Sequence, residues 1–296
     1  MLNRIFSILG AQWLIHQDTA VSYLPVLIAF VKGQEMLLGP ADDKKPYVVA
    51  WSDSAQLIPT IGKWNLTDAS IPENSVAVIP VDGVICSWNS VDLMTMLRDA
   101  QANDSINSIL LVVNSPGGMV SQIDLLAGSI KSLTKPTVSV VMGMAASAAM
   151  WVISATSYRI ATSPIDVIGS IGTKTSIQDY SGLLEKIGIK ITDFYATKAT
   201  RKDEEVRAIK ENGDTKPMAA FVDFVNEVFH QAIRENLGIA ADSEVFTGAA
   251  YFAAKAQELG LINEIGSMDY ALAKAYQLGL RNKIINQSKS LNIFNQ

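Results

Sequence analysis

The sequence has few of the residues from which catalytic triads and disulfide frameworks are built. Its 296 residues include one cysteine, Cys86, and two histidines, His16 and His230. A single cysteine excludes an internal disulfide framework and is compatible with a reducing compartment. We expect Cys86 to be a small buried hydrophobic residue. The neighbours of His230 at helical spacing are apolar or amidic, so a surface or capping role suits both histidines better than a Ser-His-Asp triad.

Charge is also sparse. Charged residues make up 18% of the chain and the formal net charge is −5, so no broad basic surface is expected and nucleic acid is an unsuitable partner. The sequence has no low-complexity tract and no internal repeat. Hydrophobic residues make up 49% of it, which is typical of a globular protein with a core large enough for one elaborated domain or two.

Long hydrophobic runs are missing as well. The longest early run, Tyr23 to Val31, has about half the length that a membrane span requires. The first ten residues are interrupted by Asn3 and Arg4 and show no secretory signal. We therefore expect a soluble, cytoplasmic protein without a stable membrane span.

Two short apolar runs separated by an amphipathic segment dominate the middle of the chain. Ile109 to Val113 and Thr137 to Met142 are typical of strands buried on both faces, and Met119 to Leu133 has the spacing of a helix. A strand, a helix and a parallel strand form a right-handed crossover, so both strands end at the same edge of the sheet. Open α/β sheets bind their ligands at this edge.

Each of these strands ends in a turn of small residues. The first runs into Asn114-Ser115-Pro116-Gly117-Gly118, where the glycines leave backbone amides free to face an anion. The second runs into Gly143-Met144-Ala145-Ala146-Ser147-Ala148-Ala149, where one hydroxyl lies among residues too small to crowd it. Close packing of a helix on a sheet also requires small residues, so these turns have a structural explanation beside the functional one.

The remaining periodicities outline an α/β domain. Residues 1–72 read as short strands and turns of unknown role, residues 73–280 as the main domain, and residues 281–296 as a flexible tail. The further predicted strands are Ser75 to Val81, Tyr158 to Thr162 and Ile189 to Tyr195. The further predicted helices are Val91 to Ala102, Ile177 to Ile187, Met218 to Leu237 and Tyr251 to Leu259.

A serine becomes a nucleophile only when a base accepts its proton. Neither histidine is a good candidate for this base. A lysine can serve instead, because its pKa falls when burial disfavours the ammonium form. Lys198 and Lys202 follow the predicted strand that ends at Tyr195. A solvated loop neutralised by neighbouring acidic residues is the simpler explanation of these charges.

Four motifs follow one another along the chain: Asn114-Ser115-Pro116-Gly117-Gly118, Ala145-Ala146-Ser147-Ala148-Ala149, Ile168-Gly169-Ser170-Ile171-Gly172, and Phe246-Thr247-Gly248 with Leu259-Gly260-Leu261-Ile262. In this order they resemble the motifs of signal peptide peptidase A, a member of peptidase family S49, which also includes phage head-maturation proteases. The resemblance extends over about residues 75–266. Four ordered motifs are much more specific than any one of them.

This resemblance implies a ClpP/crotonase-like α/β fold of repeated ββα units, with a mostly parallel sheet and flanking helices. It also implies a Ser-Lys dyad without a metal or an organic cofactor. The nucleophile of the family falls on Ser147. The oxyanion-hole glycine falls on the Gly117-Gly118 turn, with Gly118 favoured, and the amide of Ala148 is the second donor. The serine that steadies the lysine falls on Ser170, although Gly-Ser-Ile-Gly also suits a plain tight turn.

Two positions depart from the family pattern. The family often has two glycines after the nucleophile, where this chain has Ala148-Ala149, a form that phage-type relatives resemble. An ungapped alignment also puts Thr200 at the position of the catalytic lysine. A loop longer by two residues makes Lys202 the base, and one shorter by two makes Lys198 the base. We favour Lys202 because Asp203 then completes the Lys-Asp pair of the family.

The sequence therefore predicts a serine endopeptidase that cleaves extended or unfolded polypeptides, with phage or prophage capsid maturation as one role. By resemblance we expect a homo-oligomer, with the apolar face of the Met218 to Leu237 helix as its interface. One alternative is a non-catalytic assembly or scaffold protein of the same fold that has lost its lysine. The other is a crotonase-type acyl-CoA enzyme, which needs a positioned acid, and Asp124 is a helix turn away from the glycine turn.

Overall fold

The computed structural model describes residues 13–15, 45–51, 57–60, 65–177, 181–186, 188, 190 and 192–293. His16, Ile187 and Ile189, which the predictions above include, lie outside the described residues. The strands are β1 (Trp13–Ile15), β2 (Tyr47–Trp51), β3 (Leu57–Thr60), β4 (Ser75–Asp82), β5 (Ile106–Ser115), β6 (Gly117–Met119), β7 (Thr137–Ala146), β8 (Tyr158–Ala161), β9 (Val167–Gly169), β10 (Ala250–Phe252) and β11 (Glu264–Ile265). The α-helices are α1 (Ser87–Ala102), α2 (Ile123–Lys131), α3 (Ala148–Ser154), α4 (Ser181–Lys186), α5 (Glu204–Asn212), α6 (Lys216–Leu237), α7 (Ala253–Glu258) and α8 (Met268–Ile293).

The described part of the chain forms a mixed α/β structure around a mostly parallel sheet. The strand order along the sheet is β10-β9-β7-β5-β4-β2-β3. Strands β4, β5, β7, β8 and β9 run parallel, whereas β2, β3 and β10 join their neighbours antiparallel. The ten-residue strand β7 pairs along one side with β5 and along the other with β8 and then β9. The predicted crossover from β5 through α2 to the parallel strand β7 is confirmed.

Both faces of the central strands are covered, which explains why their sequences are mostly apolar and uncharged. On one face, Ile79, Leu111 and Val113 pack in a cluster with residues of α1, α2 and α3. On the other face, Val78, Leu110 and Val140 pack in a cluster with residues of α8. Successive residues from Ile109 to Val113 alternate between the two clusters, so every residue of this run has an apolar environment.

Most of the predicted helices and strands are confirmed, with shifted ends. Helix α2 begins at Ile123 and not at residue 119 because Gly117–Met119 is a strand and Gln122 has a left-handed φ of 69°. Helix α4 lies within the predicted range Ile177 to Ile187, of which residues 178–180 and 187 lie outside the described residues, and Gly188 has φ of 81°. Helix α6 matches its prediction and ends at Gly238, which has a left-handed φ of 70°.

One predicted strand is wrong. Residues 190 and 192–195 form no strand, and each of these described side chains is exposed, that of Phe194 at 92%. An alternating pattern specifies a strand only when a neighbouring strand or a core is available to one of its faces.

The two ends of the chain differ in how they compare with their predictions. The described residues within 1–72 include the strands β1, β2 and β3, in agreement with the short strands predicted there. Residues 281–293, which the sequence assigns to a tail, continue helix α8. Among the described residues no helix combines the length and apolarity that crossing a bilayer requires.

Candidate active site

Ser147 lies at the turn between strand β7 and helix α3. Its backbone has φ of 55° and ψ of −118°, which is unusual for a residue other than glycine and marks local strain. The residue is 2% exposed. Its amide donates to the carbonyl of Gly169 over 2.8 Å, and its carbonyl accepts from the amide of Trp151 over 3.1 Å. The surrounding chain therefore holds the Ser147 backbone in one conformation.

The Gly117-Gly118 turn follows the adjacent strand at the same edge of the sheet. Strand β5 pairs with β7 as far as Ser115 opposite Ala145, and β6 continues from there to pack against α3. Gly117 has φ of 100°, where glycine avoids the cost of a side chain. Gly118 needs to be glycine for another reason, since a Cβ there would overlap the backbone of Ile85.

The two glycines differ in what their amides do. The amide of Gly117 donates to Oγ of Ser115 over 3.2 Å, and its carbonyl accepts from the amide of Ile85 over 2.9 Å. The amide of Met119 donates to the carbonyl of Ile85 over 2.8 Å. Because backbone groups alternate in direction along a strand, the N–H of Gly118 faces away from Ile85. This arrangement favours Gly118 over Gly117 as an oxyanion donor.

Ala148 offers a second amide beside the serine. It is the first residue of α3 and is fully buried. The first amides of a helix have no partner within the helix. The amide of Ala148 thus has no acceptor within the helix and lies next to Ser147 in the chain.

Ser170 lies next to Ser147 through the pairing of β9 with β7. Ala146 of β7 pairs with Gly169 of β9. Ser147 directly follows Ala146 and Ser170 directly follows Gly169, so the two serines leave the sheet side by side. Ser170 also has a left-handed φ, 52°, and its amide donates to the carbonyl of Ala249 over 2.7 Å. The structure thus brings together the turns that contain Ser147 and Ser170.

Neither candidate lysine is buried. Lys198 and Lys202 are exposed in the segment that precedes helix α5. The amide of Lys202 donates to the carbonyl of Ala199 over 3.1 Å. Within the described residues, neither ammonium group has a hydrogen-bond or ion-pair partner. The structure consequently leaves both lysines as candidates and does not pair either with Ser147.

Asp166 is a buried residue that sequence reasoning missed. It is 4% exposed, and its Oδ1 accepts a hydrogen bond of 2.9 Å from the amide of Gly143, four residues before Ser147. Its Oδ2 accepts from the hydroxyl of Thr162 over 3.1 Å and from the amide of Ser163 over 2.9 Å. The carboxylate therefore anchors β7 just before the serine turn. The only signal in the sequence is the turn-forming run Ser163-Pro164-Ile165-Asp166.

Helix α6 anchors the other side of the site through two polar side chains. Oδ1 of Asn226 accepts from the amide of Thr173 over 2.9 Å. His230 lies one helical turn further along and interacts with the backbone of Ile171, and its ring centroid is 4.8 Å from that of Phe246. Burial lowers the pKa of His230, and the hydrogen bond to Ile171 opposes that shift in part. The surface or capping role predicted for His230 is wrong, because the residue is buried inside helix α6 at 9% exposure. Among the described contacts it makes no hydrogen bond to Ser147.

Cys86 is buried, as predicted. It is 3% exposed, and burial raises the pKa of its thiol to about 11, so the thiolate is scarce at neutral pH. In the part of the chain that the structure describes, no group of three or more His, Cys, Asp or Glu side chains is placed to hold a metal ion.

The site therefore places a strained, buried serine at the end of a parallel strand, beside a helix start and a glycine turn in which the Gly118 amide points away from Ile85. The sequence comparisons agree with this arrangement. The model of peptidase family S49 matches residues 129–280, more than half of the 296 residues, and this chain belongs to that family. The matched range includes Ser147, Ser170 and both candidate lysines, whereas the Gly117-Gly118 turn precedes it.

Individual relatives bear the names of peptidases. The chain is 33% identical over 190 residues to a candidate protease of Methanocaldococcus jannaschii, covering 60% of this chain and 58% of that protein. It is 30% identical over 237 residues to a candidate signal peptide peptidase SppA of Enterococcus faecium, covering 71% and 67%. It is 26% identical over 206 residues to the capsid assembly protease C of Escherichia phage lambda, covering 65% and 46%. The matched segments thus span about half to two thirds of these relatives.

Proposed function

We propose that this chain is a serine endopeptidase in which Ser147 attacks the carbonyl carbon of a peptide bond. The observation that carries the proposal is the position of Ser147, in a strained strand-to-helix turn within a family S49 match, beside the glycine turn of β6. Strain of this kind is concentrated at functional sites. A serine that served only close packing would have no need for a left-handed backbone, which alanine and serine both disfavour.

In the proposed mechanism a lysine amine accepts the proton of the Ser147 hydroxyl as the hydroxyl oxygen bonds to the carbonyl carbon. The amides of Gly118 and Ala148 stabilise the oxyanion of the tetrahedral intermediate. The lysine then returns the proton to the leaving amine, and water hydrolyses the acyl-enzyme by the same steps. Loss of one oxyanion donor costs about 3 kcal/mol of transition-state stabilisation, which is a few hundredfold in rate.

The base is Lys202 or Lys198, and we favour Lys202 because Asp203 follows it. Both lysines are exposed, and the proposed base needs burial before it can act, because desolvation is what disfavours an ammonium form. Closure of the segment around residues 192–203 over the site, or contact with a second copy of the chain, would supply this burial. Ser170 is placed beside Ser147 and would accept or donate a hydrogen bond that steadies the amine.

The sheet order and the crossover connections support a ClpP/crotonase-like fold for residues 73–280. The proposed substrates are extended or unfolded polypeptides, whose backbone can add as a strand beside the turns. The capsid assembly protease of phage lambda is among the relatives, which supports capsid maturation in a phage or prophage as the more specific role. Homo-oligomers are proposed because Phe224 and Val228 of α6 are 70% and 40% exposed.

A second candidate is a non-catalytic assembly protein of the same fold. The exposed positions of Lys198 and Lys202 favour it, because an unburied lysine is a poor base. The crotonase-type acyl-CoA enzyme receives less support, since its candidate acid, Asp124, is exposed on α2.

Labelling with a serine-reactive fluorophosphonate distinguishes the endopeptidase from the non-catalytic assembly protein. The endopeptidase predicts labelling that is lost in Ser147→Ala and in either Lys202→Ala or Lys198→Ala, and retained in Lys210→Ala, a matched exposed lysine on α5. Labelling is measured between about pH 6 and 10, the range over which a lysine with a pKa lowered by burial deprotonates. A complete absence of labelling over that range would favour the assembly protein.

A further inference from the structure

Besides its bridge to Ile85, strand β6 pairs with a strand from the N-terminal part of the chain. Strand β1 pairs with it antiparallel, with Trp13 opposite Met119, Leu14 opposite Gly118 and Ile15 opposite Gly117. These two strands form a small sheet separate from the main one. The segment that lies along the glycine turn is therefore an extended, apolar piece of the same polypeptide.

The direction of the backbone groups shows which side of β6 this strand uses. The carbonyl of Gly117 and the amide of Met119 both bond to Ile85, as described above, and Ile85 forms a parallel bridge with Gly118. By alternation the N–H and C=O of Gly118 point to the opposite side. That side is the one on which β1 lies, with Leu14 as the direct neighbour of Gly118.

The proposed oxyanion donor therefore faces the backbone of Leu14. An extended substrate would need the same edge, because main-chain hydrogen bonds to an exposed strand are the general way in which proteins bind extended peptides. The absence of side chains at Gly117 and Gly118 leaves this edge accessible to another backbone.

We propose that β6 is the substrate-backbone binding edge, and that the Trp13–Ile15 strand occupies it as an internal competitor of extended apolar peptides. The inference rests on the proposed function of Gly118. An intramolecular segment competes at a high effective concentration, so it raises the concentration of peptide needed for half-saturation. Release of this strand would be required before a substrate binds antiparallel to β6.

Hydrogen exchange tests the docking without any need for activity. In a Ser147→Ala background, Leu14→Pro removes the N–H at the centre of the pairing and prevents regular strand geometry. We expect the Gly118 amide to exchange at least about tenfold faster. The Met119 amide, bonded to Ile85, should keep its protection and reports that β6 itself remains folded. Leu14→Ala, which retains the N–H, is the matched control and should leave the Gly118 amide protected.

Peptide turnover tests the competition. With Ser147 intact, Leu14→Pro should lower KM for an extended apolar peptide by about tenfold while kcat stays the same, because only the competing occupant is removed. A synthetic peptide of residues 10–18 should restore the higher KM when it is added to the Leu14→Pro protein.

The two measurements separate the two proposals. Unchanged exchange at Gly118 in Leu14→Pro would overturn the docking of β1, whatever the activity of the protein. Faster exchange at Gly118 with an unaltered KM would overturn the competition. Loss of fluorophosphonate labelling in every variant would reject the endopeptidase and leave the exchange experiment as the test of the strand.

Discussion

The amide of Ser147 donates a 2.8 Å hydrogen bond to the carbonyl of Gly169, the residue just before Ser170. One short bond thus ties the candidate nucleophile to the turn that carries the serine proposed to steady its base. Because the bond lies between backbone groups, it survives substitution of either side chain. Ser147→Ala and Ser170→Ala should accordingly remove function without unfolding the protein.

Gly118→Ala should damage both stability and activity. The added Cβ would overlap the backbone of Ile85, so β6 must move away from it. Such overpacking costs about 1–3 kcal/mol, and displacement of the oxyanion donor should lower kcat/KM by about a hundredfold or more. The matched control is Gly128→Ala in α2, where a Cβ meets no atom within 4 Å. It should stabilise the protein by about 0.5–1 kcal/mol, and urea unfolding measures both variants.

Asp166→Asn should loosen the strand that leads to Ser147. The carboxylate accepts three hydrogen bonds, from the amides of Gly143 and Ser163 and from the hydroxyl of Thr162. In the variant an NH₂ group replaces one of the two oxygens, so a buried donor loses its acceptor, which costs about 1–3 kcal/mol. Labelling of Ser147 should slow as well. Asp124→Asn changes an exposed carboxylate on α2 and should alter neither stability nor labelling. A strong effect of Asp124→Asn with none of Asp166→Asn would contradict this assignment and revive the acyl-CoA alternative.

Stability should fall in mild acid because of His230. Burial depresses the pKa of this histidine in the folded state, so the unfolded state binds the proton more readily. The contribution of the neutral ring is complete above the unfolded pKa of about 6.5 and is lost as the pH falls toward the lower folded value. Denaturant midpoints measured between pH 7.5 and 5 should therefore decline less steeply in His230→Asn. Equal slopes in the two proteins would show that another group controls this range.

The exposed apolar face of α6 should hold copies of the chain together. Phe224 is 70% exposed on that helix, which is costly for a side chain without a partner. Phe224→Glu should reduce the mass measured by light scattering to that of a smaller species. Leu125→Glu introduces the same charge at a residue of α2 that is 59% exposed and should leave the mass unchanged. A monomeric parent protein would contradict the proposed oligomer.

The sequence predicted the parts of the fold that depend on local periodicity. The runs from Ile109 and Thr137 carry no charge and are rich in β-branched residues, and burial on both sides of a parallel sheet is the environment that such runs require. The crossover rule then placed the glycine turn and Ser147 at one edge without any knowledge of the rest of the chain. The alternation from Ile189 to Tyr195 predicts a strand wrongly, because a strand also needs a partner strand and the described residues there have none.

What the sequence by itself determined is thus the local chemistry: apolar strands, glycines where a side chain cannot fit, and a serine among small residues. The tertiary structure alone decided which distant residues surround that serine. Asp166 anchors the preceding strand, Asn226 and His230 brace the Ser170 turn, and Leu14 lies against Gly118. The local sequence pattern indicates whether a residue is buried in the core or exposed to solvent. It does not record which of many compatible partners it meets there, because that choice depends on the packing of the whole chain.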